Sequence, residues 1–255
     1  MRKQKERNSI VIIVAYVVLG IISFMCIAPV VLMAVASFTD NDVLNLYGYT
    51  YFPQKWSLEA YEFLIKQGTV ISKSFLNSIL VTFMGTALGI MVTVLLAYTI
   101  SRKELVGRKL IMLFVFFTML FNGGMVPTYL MYTQIFHIKN TMWALLFPHL
   151  LVNGFNVLLV RTFFNENIPE VLLEAARIDG AGEISIFRNV VVPISKPILA
   201  TIGLLVGVGY WNDWYNGLLF VTDVNYYTLQ NFLNKIMTDS SFHRICQLHQ
   251  MLIPL

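Results

Sequence analysis

Cysteine is nearly missing from this chain. Two occur in 255 residues, Cys26 inside an apolar run and Cys246 near the far end. With one of the two inside an apolar run, a disulfide is implausible, and cysteine usage carries no functional signal. Charge is scarce as well: Asp, Glu, Lys and Arg make up 13% of residues, where soluble domains carry about a quarter. That poverty excludes an ordinary soluble globular domain. Of the four histidines, His243 and His249 flank Cys246, but a structural zinc site needs four ligands and no Cys pair stands upstream. Asp213 and His149 are lone groups without an evident base, nucleophile or metal set, which speaks against a membrane enzyme. There is no Gly-rich phosphate loop, so the chain cannot hydrolyse ATP alone. No basic patch with interleaved aromatics points to nucleic acid.

What fills the chain is apolar. Hydrophobic residues make up 57%, and the mean hydropathy is +0.68. Uncharged runs at Ile10–Ala36, Phe75–Ile100, Leu110–Tyr132, Thr141–Val160 and Ile198–Val221 each have the length of a helix that crosses a bilayer. The expected fold is all-α, a polytopic transmembrane bundle of about five spans. The first run follows Arg2, Lys3, Lys5 and Arg7 and ends at Ala34-Val35-Ala36, as a signal peptide would. Its apolar core is longer than the 7–15 residues or so of such a leader, so it reads as an uncleaved span.

Lysine and arginine in short loops set orientation. Residues 2–7, then Arg102, Lys103, Arg108 and Lys109, then Arg161, Arg177, Arg188 and Lys196 fall on one side, which is therefore the cytoplasm. The net charge of +4 reflects this orientation. The organisation expected is a cytoplasmic N-terminus at 1–9, a first span at 10–36, an external segment at 37–74, a core at 75–221 and an external C-terminal tail at 222–255. The external segment carries Tyr47, Tyr49, Tyr51, Phe52 and Trp56, either an interfacial belt or a docking surface.

Two spans contain irregular chemistry. The third carries Asn122-Gly123-Gly124, then Pro127, Tyr129 and Tyr132; small residues there serve close helix packing or a pore-lining kink whose freed backbone groups face a cavity. The fifth is interrupted by Trp211-Asn212-Asp213-Trp214-Tyr215-Asn216. A carboxylate at membrane depth is costly, so Asp213 faces the bundle interior, a partner or water, unless it lies at the edge of a short span and is simply solvated. Aromatics with carboxylate and amide hydrogen bonders are the ingredients of a carbohydrate site.

The island Arg161–Lys196 is the most informative stretch. Pro169 suits the first turn of a helix, and the spacing predicts a helix over Pro169–Ile178. Val171, Leu172, Ala175 and Ile178 form one apolar side, with Glu170, Glu174 and Arg177 toward the other. Ala175 and Ala176 let a partner approach the backbone. Gly180 permits the left-handed residue that ends a helix, and Asp179 tolerates the turn. A second short helix over Glu183–Val192 is expected to stop at Pro193 and Pro197.

Glu174-Ala175-Ala176, Gly180 and Val190-Val191-Val192-Pro193, at these spacings, resemble the EAA loop of ABC-importer permeases. From Phe75 to Val221 the chain resembles permeases of the carbohydrate-uptake type, like the second permease subunit of the maltodextrin system. Asn122–Tyr129 and Trp211–Asn216 look closer still to permeases for oligosaccharides derived from polysaccharides. The resemblance implies a heterodimer with a sister permease, two cytoplasmic ATPase subunits that hold ATP and Mg, an extracytoplasmic solute-binding protein and residence in a bacterial plasma (inner) membrane. This chain itself would bind no cofactor and catalyse nothing. Glu174, Ala175, Ala176, Asp179, Gly180, Ala181 and Pro193 would couple to the ATPase. Asn122, Gly123, Gly124, Tyr129 and Trp211 to Asn216 would line the sugar pathway. Val190 and Val192 stand where the family usually has Ile and Leu. Family members usually have six spans and a cytoplasmic C-terminus. Here the family-like part runs to about Ser241, and Phe242–Leu255 looks unrelated, as in a truncated or frame-shifted product. The competing reading is an ion-coupled secondary sugar transporter with Asp213 as its coupling carboxylate, although no inverted repeat supports it.

Overall fold

The computed structural model describes residues 2–66, 68–148 and 150–238, with side chains from residue 12 onward other than 63. His149, His243, Cys246, His249 and the segment 242–255 lie outside the described residues. The chain divides into two units, 1–69 and 70–255.

In the first unit, helix α1 (Arg2–Ser37) contains a stretch of 26 residues, Ile12–Ser37, with mean hydropathy 2.7 and no part buried within the chain. A helix that is apolar all round suits lipid. Asp40 then caps helix α2 (Asn41–Tyr47) by accepting from the amide of Asp42. Lys55 reaches the same carboxylate at 2.6 Å, and its hydrogen bond holds the carboxyl below the ordinary range. An antiparallel bridge between Thr39 and Trp56 closes this loop before α3 (Glu59–Lys66). Tyr47, Tyr49, Tyr51, Phe52 and Trp56 are all exposed.

The second unit is built on α4 (Gly68–Ser101), which has mean hydropathy 2.3. It begins seven residues before the expected span, so part of the supposed external segment is helix. Burial against lipid tails brings little hydrophobic gain, so fit between helices has to hold a membrane bundle together. Gly85 and Gly89, one turn apart on α4, supply that fit. A Cβ on Gly85 would lie 2.5 Å from the Tyr210 ring, and one on Gly89 would lie 3.1 Å from Val206. Both partners belong to α12 (Lys196–Trp211). Tyr210 is 2% exposed.

The remaining apolar runs are not straight helices. The third splits into α5 (Arg108–Leu120) and α6 (Met125–Leu130), which continues as a π-turn over Met131–Ile135, with a bend of 114° between the parts. The fourth holds the short α7 (Trp143–Leu146) and a turn before α8 (Gly154–Asn167), whose cap is Asn153. The fifth ends α12 at Trp211 and resumes as α13 (Tyr215–Phe220). The expected all-α bundle is there, and the irregular chemistry of the third and fifth runs falls at real breaks: among the described residues two helices have the length and composition to cross a membrane, or four if each bent pair counts as one span, against the five or so expected. Hydropathy reports composition and cannot see a glycine break inside an apolar run.

The described part of the expected C-terminal tail, up to residue 238, packs on α4. The amide of Asn77 on α4 donates to the carbonyls of Asn225 and Tyr227, and Ser78 accepts from the amide of Leu229. The chain is helical again over 229–238, with Asn231 and Phe232 buried.

Candidate functional site

The island after α8 folds into two helices with a turn between them. Helix α9 spans Glu170–Ile178 with Pro169 as its N-cap, one residue later than expected. At its other end Gly180 has φ +80°. The amide of Gly180 donates to the carbonyl of Arg177, and that of Ala181 to the carbonyl of Ala176. This pair of bonds is the Schellman arrangement, which satisfies carbonyls that a helix end would leave bare.

The apolar side of α9 faces outward. Leu173 is 2% exposed and Ala176 packs against the core. Val171 and Ile178 are 73% and 86% exposed, and Leu172, Glu174 and Ala175 also face outward. The apolar side read from periodicity is therefore real but uncovered. Exposed Glu170 and half-buried Arg177 bind the loop between α4 and α5. Lys103 donates to Glu170 at 2.6 Å. Arg177 grips both oxygens of Glu104 at 2.9 and 3.2 Å and reaches Glu183 at 2.8 Å. The other oxygen of Glu183 accepts from the hydroxyl of Tyr98 on α4. That bond, then Arg177, lowers the Glu183 carboxyl below its ordinary value, while Lys103 does the same to Glu170. Glu104 and Glu183 raise the Arg177 guanidinium.

The second helix does not stop at Pro193. It runs as α10 (Glu183–Ile186), a π-stretch over Phe187–Val191 and α11 (Val192–Ile194). Proline removes a bond to the residue four back and crowds its carbonyl; that residue is Asn189, inside the wider π-turn. Helical pairing thus passes through Pro193. Buried Ser195 then donates its hydroxyl to the carbonyl of Val191 at 2.6 Å, and the chain turns 82° into α12. Pro197 sits in the first turn of α12, where its missing N–H is harmless.

The two irregular spans form a second region. Asn122 accepts from the amide of Gly124, whose φ is +86°, so the break between α5 and α6 is locally built. A cavity of about 640 Å³ opens there, lined by Asn122, Gly123, Thr128, Tyr132, Asn153 and Gly154 among others. Trp211 to Asn216 do not line it. Tyr129 instead stacks on Phe220 of α13, with ring centroids 5.8 Å apart. In the second break, Asp213 accepts from the amide of Asn216 and so caps α13. Trp211 lies edge-on to Phe75, while Trp214 and Tyr215 meet each other at 6.1 Å. Asn216 is buried and donates to the carbonyl of Pro148, and Tyr210 donates to that of Leu146. Two side chains from the α12–α13 region therefore tie down the turn before α8. Tyr210 carried no signal in the sequence that separated it from other aromatic residues of the bundle.

Residues 85–242 match the family described as binding-protein-dependent transport system inner membrane component. The chain is 35% identical over 235 residues to a polygalacturonan/rhamnogalacturonan transport system permease protein, YtcP, of Bacillus subtilis strain 168, covering 92% of this chain and 81% of that one. It is 30% identical over 224 residues to the trehalose/maltose transport system permease MalG of Thermococcus litoralis, covering 87% and 78% respectively. Among solved structures it is similar, with a TM-score of 0.79 and 28% identity, to a bacterial ABC transporter involved in import of the acidic polysaccharide alginate. That likeness covers 89% of this chain and 80% of the other.

Proposed function

The chain belongs to the family of binding-protein-dependent transport system inner membrane components, as a permease of the sugar ABC type, and from that premise we propose that it passes oligosaccharides inward, driven by a partner ATPase. The observation that carries the coupling half is the uncovered apolar side of α9, where Val171, Ala175 and Ile178 flank an exposed Glu174. An apolar side bared on a short cytoplasmic helix is a surface for a partner helix or groove. If α12 crosses the bilayer, the 82° turn lays the α10–α11 helix along the membrane surface. Motion of the docked ATPase then reaches α12 through Pro193, Ser195 and Pro197.

Under this reading Glu174, Ala175, Ala176, Asp179, Gly180, Ala181 and Pro193 serve coupling. ATP and Mg belong to two cytoplasmic ATPase subunits. A sister permease completes the pathway, and an external binding protein delivers the sugar. The N-terminus is cytoplasmic by the charge rule. The cavity beside Asn122, Gly123 and Tyr132 supports a polar sugar path, with Gly124, Tyr129 and Trp211 to Asn216 near the adjoining breaks. The ion-coupled alternative is not favoured: Asp213 is engaged as a helix cap, and the similar solved structure is an ABC transporter.

The test is uptake of radiolabelled oligogalacturonides and maltodextrins by cells whose own copy is deleted and replaced with the wild type or Glu174→Lys. The reading expects ATP-dependent uptake of one oligosaccharide class that the substitution abolishes. Uptake that persists after ATP depletion while an ion gradient is maintained would overturn it.

A further inference from the structure

A second cavity, of about 580 Å³, lies between the α4–α5 loop, the end of α8 and the start of α9. Its lining holds five cations against three carboxylates. Two of the cations are already answered within the chain, Lys103 by Glu170 and Arg177 by Glu104 and Glu183. The third carboxylate, Glu166, is exposed. Arg102, Arg108 and Arg161 are half-buried, and among the described residues no carboxylate lies within ion-pair distance of them. Arg102 rests on the Tyr98 ring at 4.6 Å, and Arg161 reaches the carbonyl of Ile100 at 3.4 Å. Burial, and then the charge of Arg108, lower the Arg161 guanidinium from its ordinary value.

A solvated loop cation has no need of such a setting. Guanidiniums gathered in one cleft repel each other, and the arrangement is stabilised when an anion joins them. A phosphate fits best, because guanidinium forks match its oxygens. The surface next to the cavity identifies the carrier. Directly after Arg108, Leu110, Leu113 and Phe114 of α5 are 57%, 63% and 62% exposed, which gives acyl chains a place beside the headgroup. We propose that this cavity is a binding site for the phosphate headgroup of an anionic phospholipid of the cytoplasmic leaflet. Basic pockets between membrane helices on that side recognise such headgroups. The site lies where α9 is tied to the α4–α5 loop, so an occupied cavity braces the hairpin.

The full importer assembly, reconstituted in nanodiscs of phosphatidylcholine with one fifth phosphatidylglycerol, is released in the gas phase and its retained lipids are counted by native mass spectrometry. The wild type should keep phosphatidylglycerol in preference to phosphatidylcholine, and Arg108→Gln/Arg161→Gln should lower that retention about tenfold or more. The single Arg108→Gln variant serves if the double variant does not assemble, with a smaller loss expected. Equal retention by wild type and variant would overturn the proposal. So would binding of millimolar inorganic phosphate, dependent on these arginines, without lipid retention, since that makes the site one for a soluble anion. The readout needs no transport, so failure of the import reading and failure of this one are separable.

Discussion

At the scale of single residues, two glycines stand where a side chain is costly. Gly180 holds φ +80° at the end of α9, a conformation that costs an L side chain about 1 kcal/mol. Gly180→Ala should lower the unfolding midpoint of the detergent-purified protein modestly, and it should reduce uptake more than it reduces stability if the α9 turn positions the docking side. Gly85 acts through space and not through φ. A methyl there meets the Tyr210 ring at 2.5 Å, so Gly85→Ala should cost about 1–3 kcal/mol by overpacking, visible as a lower midpoint and poorer accumulation in membranes. Tyr210→Phe should cost about 1 kcal/mol, because the carbonyl of Leu146 loses its buried donor. Gly180 was legible from sequence, because a helix end is a local event. Gly85 was not, since its role depends on a ring that lies 125 positions away in the chain.

At the scale of elements, the α9 hairpin is anchored by charge as well as by Leu173. Glu170 and Glu183 are held below their ordinary value of 4.5 by Lys103, Tyr98 and Arg177. Their contribution is complete above the unfolded value and is lost as pH falls through the lower folded values. These groups are largely exposed, so the effect is small. Arg177→Gln should reduce the difference between unfolding midpoints at pH 7 and pH 4 and should weaken coupling, measured as a lower ratio of sugar imported to ATP hydrolysed in proteoliposomes. An unchanged pH difference would show that the network contributes nothing to stability. Periodicity groups Val171, Leu172, Ala175 and Ile178 on one side of α9, and all four are exposed. It could not say what that side faces, because a pattern of residues carries no record of which neighbour covers it. The π-stretch before Pro193 was hidden for a similar reason: proline marks a lost bond, and the surrounding chain decides whether the helix stops or widens.

At the scale of the whole molecule, the charged loops and apolar runs announced a membrane protein, and the EAA spacing pointed to its family. The residue types at Asn122-Gly123-Gly124 and Asn212-Asp213-Trp214 made the breaks there legible, though not the size of the bends, whereas average hydropathy passes over them. It also missed that residues 222–238 return to α4 through Asn77 and Ser78. Asn77→Ala should detach this return, leaving two carbonyls unanswered, and should raise protease sensitivity around Asn225. The central claim is that the uncovered side of α9 docks an ATPase. The most direct measurement is co-purification of partner subunits from native membranes with the wild type and with Glu174→Lys, at matched expression of the two chains. The account predicts an ATPase that accompanies the wild type and is lost from the variant, with the sister permease retained by both. An ATPase recovered equally with both chains would contradict it.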